Sequence, residues 1–140
     1  TLIERNAAFL SAHRYVALTA LCALLYLPGL GGYRLFDVDE PRYAATAKGM
    51  VESGDWCVPY FNGEYRFEKP VLLWLIGIPQ LAFGADEAAA RFPSALCAPA
   101  TVLLTCLLGA RLLSPGAGLA AGAALALSIQ FLALGRMALT

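Results

Sequence analysis

The sequence predicts an all-α integral membrane protein, on three observations. Of the 140 residues 59% are hydrophobic and only 14% charged, against roughly 45–50% and about 25% in soluble domains. Four stretches carry no charge: Tyr15 to Tyr33, Pro70 to Ala85, Phe92 to Ala110 and Leu112 to Gly135. A hydrocarbon core of ~30 Å takes ~20 helical residues to cross, and the first, third and fourth stretches reach or approach that length. The remaining charge is gathered: segment 34–90 holds 14 of the 20 charged residues. Basic and acidic residues balance at 10 each, which leaves no basic surplus for nucleic acid. High hydrophobicity with low charge excludes disorder.

Each element follows in order. Residues 1–14 are expected to form a cytoplasmic amino-terminal segment, in which His13 reads as a juxtamembrane surface residue. Residues 15–33 are the first transmembrane helix. No small-x-small cleavage site follows it, and Leu27-Pro28-Gly29-Leu30-Gly31-Gly32 reads as a helix exit into a loop. Segment 34–90 is a large loop with juxtamembrane helices over about 39–52 and 70–83. The stretch at 70–83 is too short and too broken by Pro79 and Gln80 to span, and Trp74 suits the headgroup level. Residues 91–110 are the second span, 111–116 a turn and 117–135 the third span. Arg111 favours a cytoplasmic turn there. With three spans, segments 34–90 and 136–140 share one side; were 70–83 also to span, making four, they would lie on opposite sides. Gly118, Gly122 and Ala126 stand at four-residue spacing, as close helix packing requires. The four cysteines have no Cys-x-x-Cys spacing, which argues against a redox motif or a zinc cage. Thr1 and Thr140 read as cut ends of a larger membrane protein, of which this is the amino-terminal piece.

Two charged clusters hold the candidate chemistry. The first is Asp37-Val38-Asp39-Glu40-Pro41-Arg42-Tyr43. Asp39 suits a helix cap and Pro41 a first turn. Asp39 shares a face with Arg42 and Tyr43, three and four positions on. The helix dipole favours the Asp39 charge, so this carboxylate is a weak base, suited to a nucleophile already mostly ionised. A plain cap with a local Asp–Arg pair explains the same spacing. The second cluster is Glu64-Tyr65-Arg66-Phe67-Glu68-Lys69-Pro70. Pro70 opens a helix, which puts Lys69 at its positive end beside free N–H groups, an anion site for a lipid phosphate. Snorkelling of Lys69 and Arg66 to headgroups is the simpler alternative. Glu68 is a weak metal candidate, being one carboxylate without histidines. Between the clusters, Trp56, Tyr60 and Phe61 form an interfacial belt, with a substrate-cleft lining as the alternative.

Asp39-Glu40-Pro41-Arg42-Tyr43-Ala44, Met50, Gly54-Asp55-Trp56, Pro59, Asn62-Gly63 and Phe67-Glu68-Lys69-Pro70 resemble the amino-terminal region of lipid-linked sugar transferases of the GT-C superfamily. The likeness is nearest to the bacterial 4-amino-4-deoxy-L-arabinose transferases that modify lipid A, with protein O-mannosyltransferases as more distant kin. Phe83-Gly84, Ala89-Ala90-Arg91-Phe92 and Leu134-Gly135-Arg136-Met137 continue the pattern. The resemblance implies a GT-C-type amino-terminal fragment whose loop 34–90 faces the periplasm from the bacterial inner membrane. It implies a polyprenyl-phosphate-linked sugar as donor, and lipid A or another periplasmic acceptor. It makes Asp39 the catalytic carboxylate, with Arg42 and Lys69 on the donor phosphate and Glu40, Tyr43 and Glu68 as further substrate-binding residues. A second acid is expected after Arg136-Met137-Ala138-Leu139-Thr140, on the same side as Asp39. The sequence requires no cofactor and leaves divalent metal open. Membrane lipids are partners throughout. Two alternatives remain at this stage: a GT-C transferase with a protein or other glycan acceptor, and a non-catalytic polyprenyl-lipid transporter or scaffold. Transporters usually carry ionisable groups inside their spans, whereas these spans are bare.

Overall fold

A long helix, α1 (Leu2–Tyr26), opens the chain and ends in the glycine-rich turn expected of Leu27 to Gly32. Gly29 adopts φ 71°, a left-handed conformation that a side chain would strain. The computed structural model describes residues 2–35 and 39–138, with side chains from residue 13 onward. Asp37 and Val38 of the acidic motif, and the last two residues before the expected second acid, lie outside the described residues.

The charged loop carries α2 (Asp39–Ser53) and α3 (Pro70–Phe83), close to the expected juxtamembrane helices. Between them the chain is not wholly irregular. β1 (Tyr60–Phe61) and β2 (Glu64–Tyr65) pair antiparallel, Tyr60 opposite Tyr65 and Phe61 opposite Glu64. This corrects the all-α expectation by one short hairpin. Its cause is local: Asn62 and Gly63 both take positive φ, 52° and 90°, as the turn of a two-residue hairpin demands.

Next comes α4 (Glu87–Leu112), which starts four residues before the span expected at 91. Asp86 sets the start, its carboxylate accepting from the Ala89 N–H at 2.7 Å. Among the described residues, α4 is the one helix long and apolar enough to cross a membrane. Leu104, Leu107, Leu108 and Leu112 lie exposed along it. The stretch at 117–135 is two helices rather than one, α5 (Pro115–Ala126) and α6 (Ile129–Leu134). Ser128 departs to ψ 120°. The Tyr26 hydroxyl donates to the Ala126 carbonyl freed at the break, 3.2 Å away.

Two cores result. In one, Tyr43, Ala47 and Met50 of α2 meet Leu73 and Ile76 of α3 and Ala90 of α4. In the other, Leu18, Cys22 and Tyr26 of α1 meet Ala98, Val102 and Cys106 of α4 and Ala126 of α5. Helix α4 is the shared wall, and through it α2 and its charged start are fixed to the apolar helices.

Candidate functional site

Helix α2 begins at Asp39, so its first turn carries Asp39 and Glu40 side by side. Successive helical residues point about 100° apart. Here that angle separates two fates. Asp39 faces outward, its side chain 47% exposed, and pairs with Arg42 at 2.9 Å across one turn. Glu40 faces inward and is fully buried.

The outward face of α2 meets the entry of α3. Lys69 sits just before Pro70 in a left-handed conformation, φ 50°, which directs the chain back toward α2. Its ammonium lies 5.4 Å from the centroid of the Tyr43 ring, and the Arg42 guanidinium lies 5.8 Å from the same centroid. A ring flanked by two cations is stabilised by its quadrupole. Glu68 is shared between two arginines, 3.7 Å from Arg42 and 3.9 Å from Arg66, and Arg66 also meets Glu64 at 3.6 Å. The structure therefore brings Asp39, Arg42, Tyr43, Glu68 and Lys69 together, although the two motifs are separated by a hairpin. It adds Arg66, which the sequence left among headgroup-directed residues.

The cluster is open and exchangeable. Glu68 is 61% exposed and Arg42 27%. Exposed ion pairs of this kind contribute ~0–1 kcal/mol, so little free energy holds Glu68 between Arg42 and Arg66. Among the described residues, no three His, Cys, Asp or Glu side chains converge as a metal set would.

Glu40 lies elsewhere. Its carboxylate receives Arg91 Nε at 2.7 Å, Arg91 Nη2 at 3.0 Å and the Ala138 N–H at 2.9 Å. It is walled off from solvent, so it does not stand with the five residues that share the open face. Arg91, its partner, received no role from the sequence beyond a place in a motif. The available signal was a lone charge heading an apolar run. Trp56 packs on the Gly77 backbone of α3 and accepts, through its carbonyl, the Trp74 indole N–H at 2.7 Å. Tyr60 is exposed.

Among the described residues the fold is thus helical, with one helix long and apolar enough to cross a membrane and an exposed cluster of carboxylates and cations where α2 meets the entry of α3. Comparison with known proteins gives the family. Residues 68–140 match the family model described as dolichyl-phosphate-mannose-protein mannosyltransferase, and the chain belongs to that family. An undecaprenyl phosphate-alpha-4-amino-4-deoxy-L-arabinose arabinosyl transferase of Edwardsiella ictaluri is 41% identical over 101 residues, 71% of this chain and 18% of the relative. A protein of the same description from Pseudomonas savastanoi pv. phaseolicola is 38% identical over 117 residues, 83% of this chain and 22% of the relative. The chain thus spans about a fifth of the length of the curated relatives it matches. No solved structure matches it.

Proposed function

We propose that this chain is the donor-binding and catalytic first part of a membrane glycosyltransferase. The enzyme moves 4-amino-4-deoxy-L-arabinose from undecaprenyl phosphate to a phosphate of lipid A. The names of the relatives support the donor. The observation that carries the reading is the Asp39 carboxylate set against Arg42, with Lys69 and Arg42 both over the Tyr43 ring.

In the reaction an acceptor oxygen bonds to the anomeric carbon while the bond from that carbon to the donor phosphate breaks. Positive charge develops on the sugar and negative charge on the departing phosphate. Arg42 and Lys69 stabilise the phosphate electrostatically, with Tyr43 and Glu68 lining the same face. Asp39 orients the acceptor, stabilises the cationic sugar or takes the acceptor's last proton. A phosphate acceptor has a second pKa near ~6, so a weak base suffices. No nucleotide is needed, because the lipid phosphate is already a leaving group. Three crossings, by α1, by α4 and by α5 together with α6, would put the loop and residues 136–138 on one side, the periplasmic face of the inner membrane.

The test is Asp39→Asn in the full-length enzyme, assayed for sugar transfer to lipid A. A loss of about a hundredfold or more is expected, the scale of a positioned acid–base group. Transfer near the wild-type rate would remove Asp39 from catalysis and favour the lipid-binding scaffold.

A further inference from the structure

Arg91 is fully buried near the start of α4. A guanidinium carries five N–H donors, and here all five are used. Nε and one Nη2 hydrogen go to the two Glu40 oxygens, at 2.7 and 3.0 Å. Nη1 donates to the Leu30 carbonyl at 2.6 Å and to the Tyr33 carbonyl at 2.9 Å, and Nη2 donates to the Arg34 carbonyl at 3.1 Å. The Tyr33 ring covers the guanidinium at 3.9 Å. Glu40 Oε1 also accepts from the Ala138 N–H. One ion pair thus joins four pieces of chain: the connector after α1, the start of α2, the start of α4 and the segment after α6.

Such saturation exceeds what fixing two helices requires. The pair fastens the inner face of the very turn whose outer face carries Asp39 and Arg42. Glu40 is held by two Arg91 donors and by the Ala138 N–H, which resists rolling or sliding of α2. The neighbouring Asp39 is thereby fixed in azimuth and height. Among the described residues Asp39 itself, half-exposed, pairs with Arg42 across one turn, too weak a tether to fix it by itself.

We propose that Arg91 and Glu40 form a positioning pair for the transfer reaction, setting Asp39 relative to the anomeric carbon without touching substrate. The inference rests on the catalytic reading of Asp39 above and deepens it. It also reassigns Glu40 from ligand to support. A misplacement of about 1 Å at a reacting group costs on the order of a hundredfold in rate, while a donor held by Arg42, Lys69 and its own lipid tail keeps its affinity.

The experiment compares Arg91→Lys, Glu40→Gln and the charge-free double variant Glu40→Gln/Arg91→Met with wild type and Asp39→Asn, all as purified full-length enzyme. Activity is normalised to folded protein, and kcat and donor KM are measured separately. Positioning predicts kcat lowered about ten- to a hundredfold in each Arg91 or Glu40 variant, with donor KM within about twofold. The double variant leaves no buried charge unpaired, so it reports on positioning even where a single variant fails to fold. Folded protein with wild-type kcat in the double variant would overturn the proposal and leave the pair a stabilising device. A rise in donor KM at unchanged kcat in Glu40→Gln would overturn it in favour of direct ligation. Asp39→Asn separates the two readings: if it stays active, the catalytic assignment fails. If it is inactive while the pair variants turn over normally, only the positioning fails.

Discussion

Lys69 holds a left-handed backbone at φ 50°, a region that residues other than glycine populate sparsely. It does so at the point where its ammonium reaches the Tyr43 ring. Its two proposed partners, a donor phosphate and a lipid headgroup, lead to different kinetics. A charge-assisted hydrogen bond contributes about 1.5–3 kcal/mol, so Lys69→Ala should raise the donor KM at least about tenfold in the full-length enzyme, with kcat changed less. A donor titration with an unchanged KM would leave Lys69 as a headgroup anchor. The spacing Asp39 to Arg42 was legible, because residues three apart on a helix must meet. The separate fates of Asp39 and Glu40 were not. Adjacent carboxylates look alike in a sequence, and which of them turns inward depends on Arg91, 51 residues away.

Helices α4 and α5 form a hairpin whose closeness rests on small residues. Gly118, Gly122 and Ala126 are the buried positions of α5, so the four-residue spacing does mark the packed stripe. A Cβ on Gly118 would collide with the Cys106 carbonyl oxygen and the Ala110 nitrogen. These are backbone atoms that cannot swing aside. Gly118→Val should therefore lower stability by at least the ~1–3 kcal/mol typical of overpacking. Gly116→Ala, where nothing lies within 4 Å of the added atom, should not. Thermal unfolding of the two full-length variants in the same detergent checks this, and equal midpoints would contradict the close contact. The break between α5 and α6 was not legible. The stretch 117–135 is uncharged, Ser128 and Gln130 are its polar residues, and the interruption is satisfied by Tyr26, a distant hydroxyl that local periodicity does not register.

The proposed orientation of the whole chain can be checked with its own cysteines. All four are free; Cys57 is exposed in the charged loop and Cys97 lies on α4. In full-length protein retaining Cys57 alone, a membrane-impermeant maleimide added to cells with a permeabilised outer membrane should label it. In protein retaining Cys97 alone, labelling should be slow or absent, because the thiol lies within the proposed span. Labelling of Cys57 only after the inner membrane is opened would place the loop in the cytoplasm. The residues proposed for the site came from the family resemblance, whereas composition and periodicity were enough for the membrane class and for α2 and α3 within a residue or so. Those properties are local, repeating every few positions along the chain. The buried Arg91–Glu40 pair and the bend at Ser128 emerged only in three dimensions. Both depend on backbone carbonyls and amides from distant segments, Leu30, Tyr33, Arg34, Ala126 and Ala138, and every residue type offers those groups alike, so no sequence pattern announces which will be used.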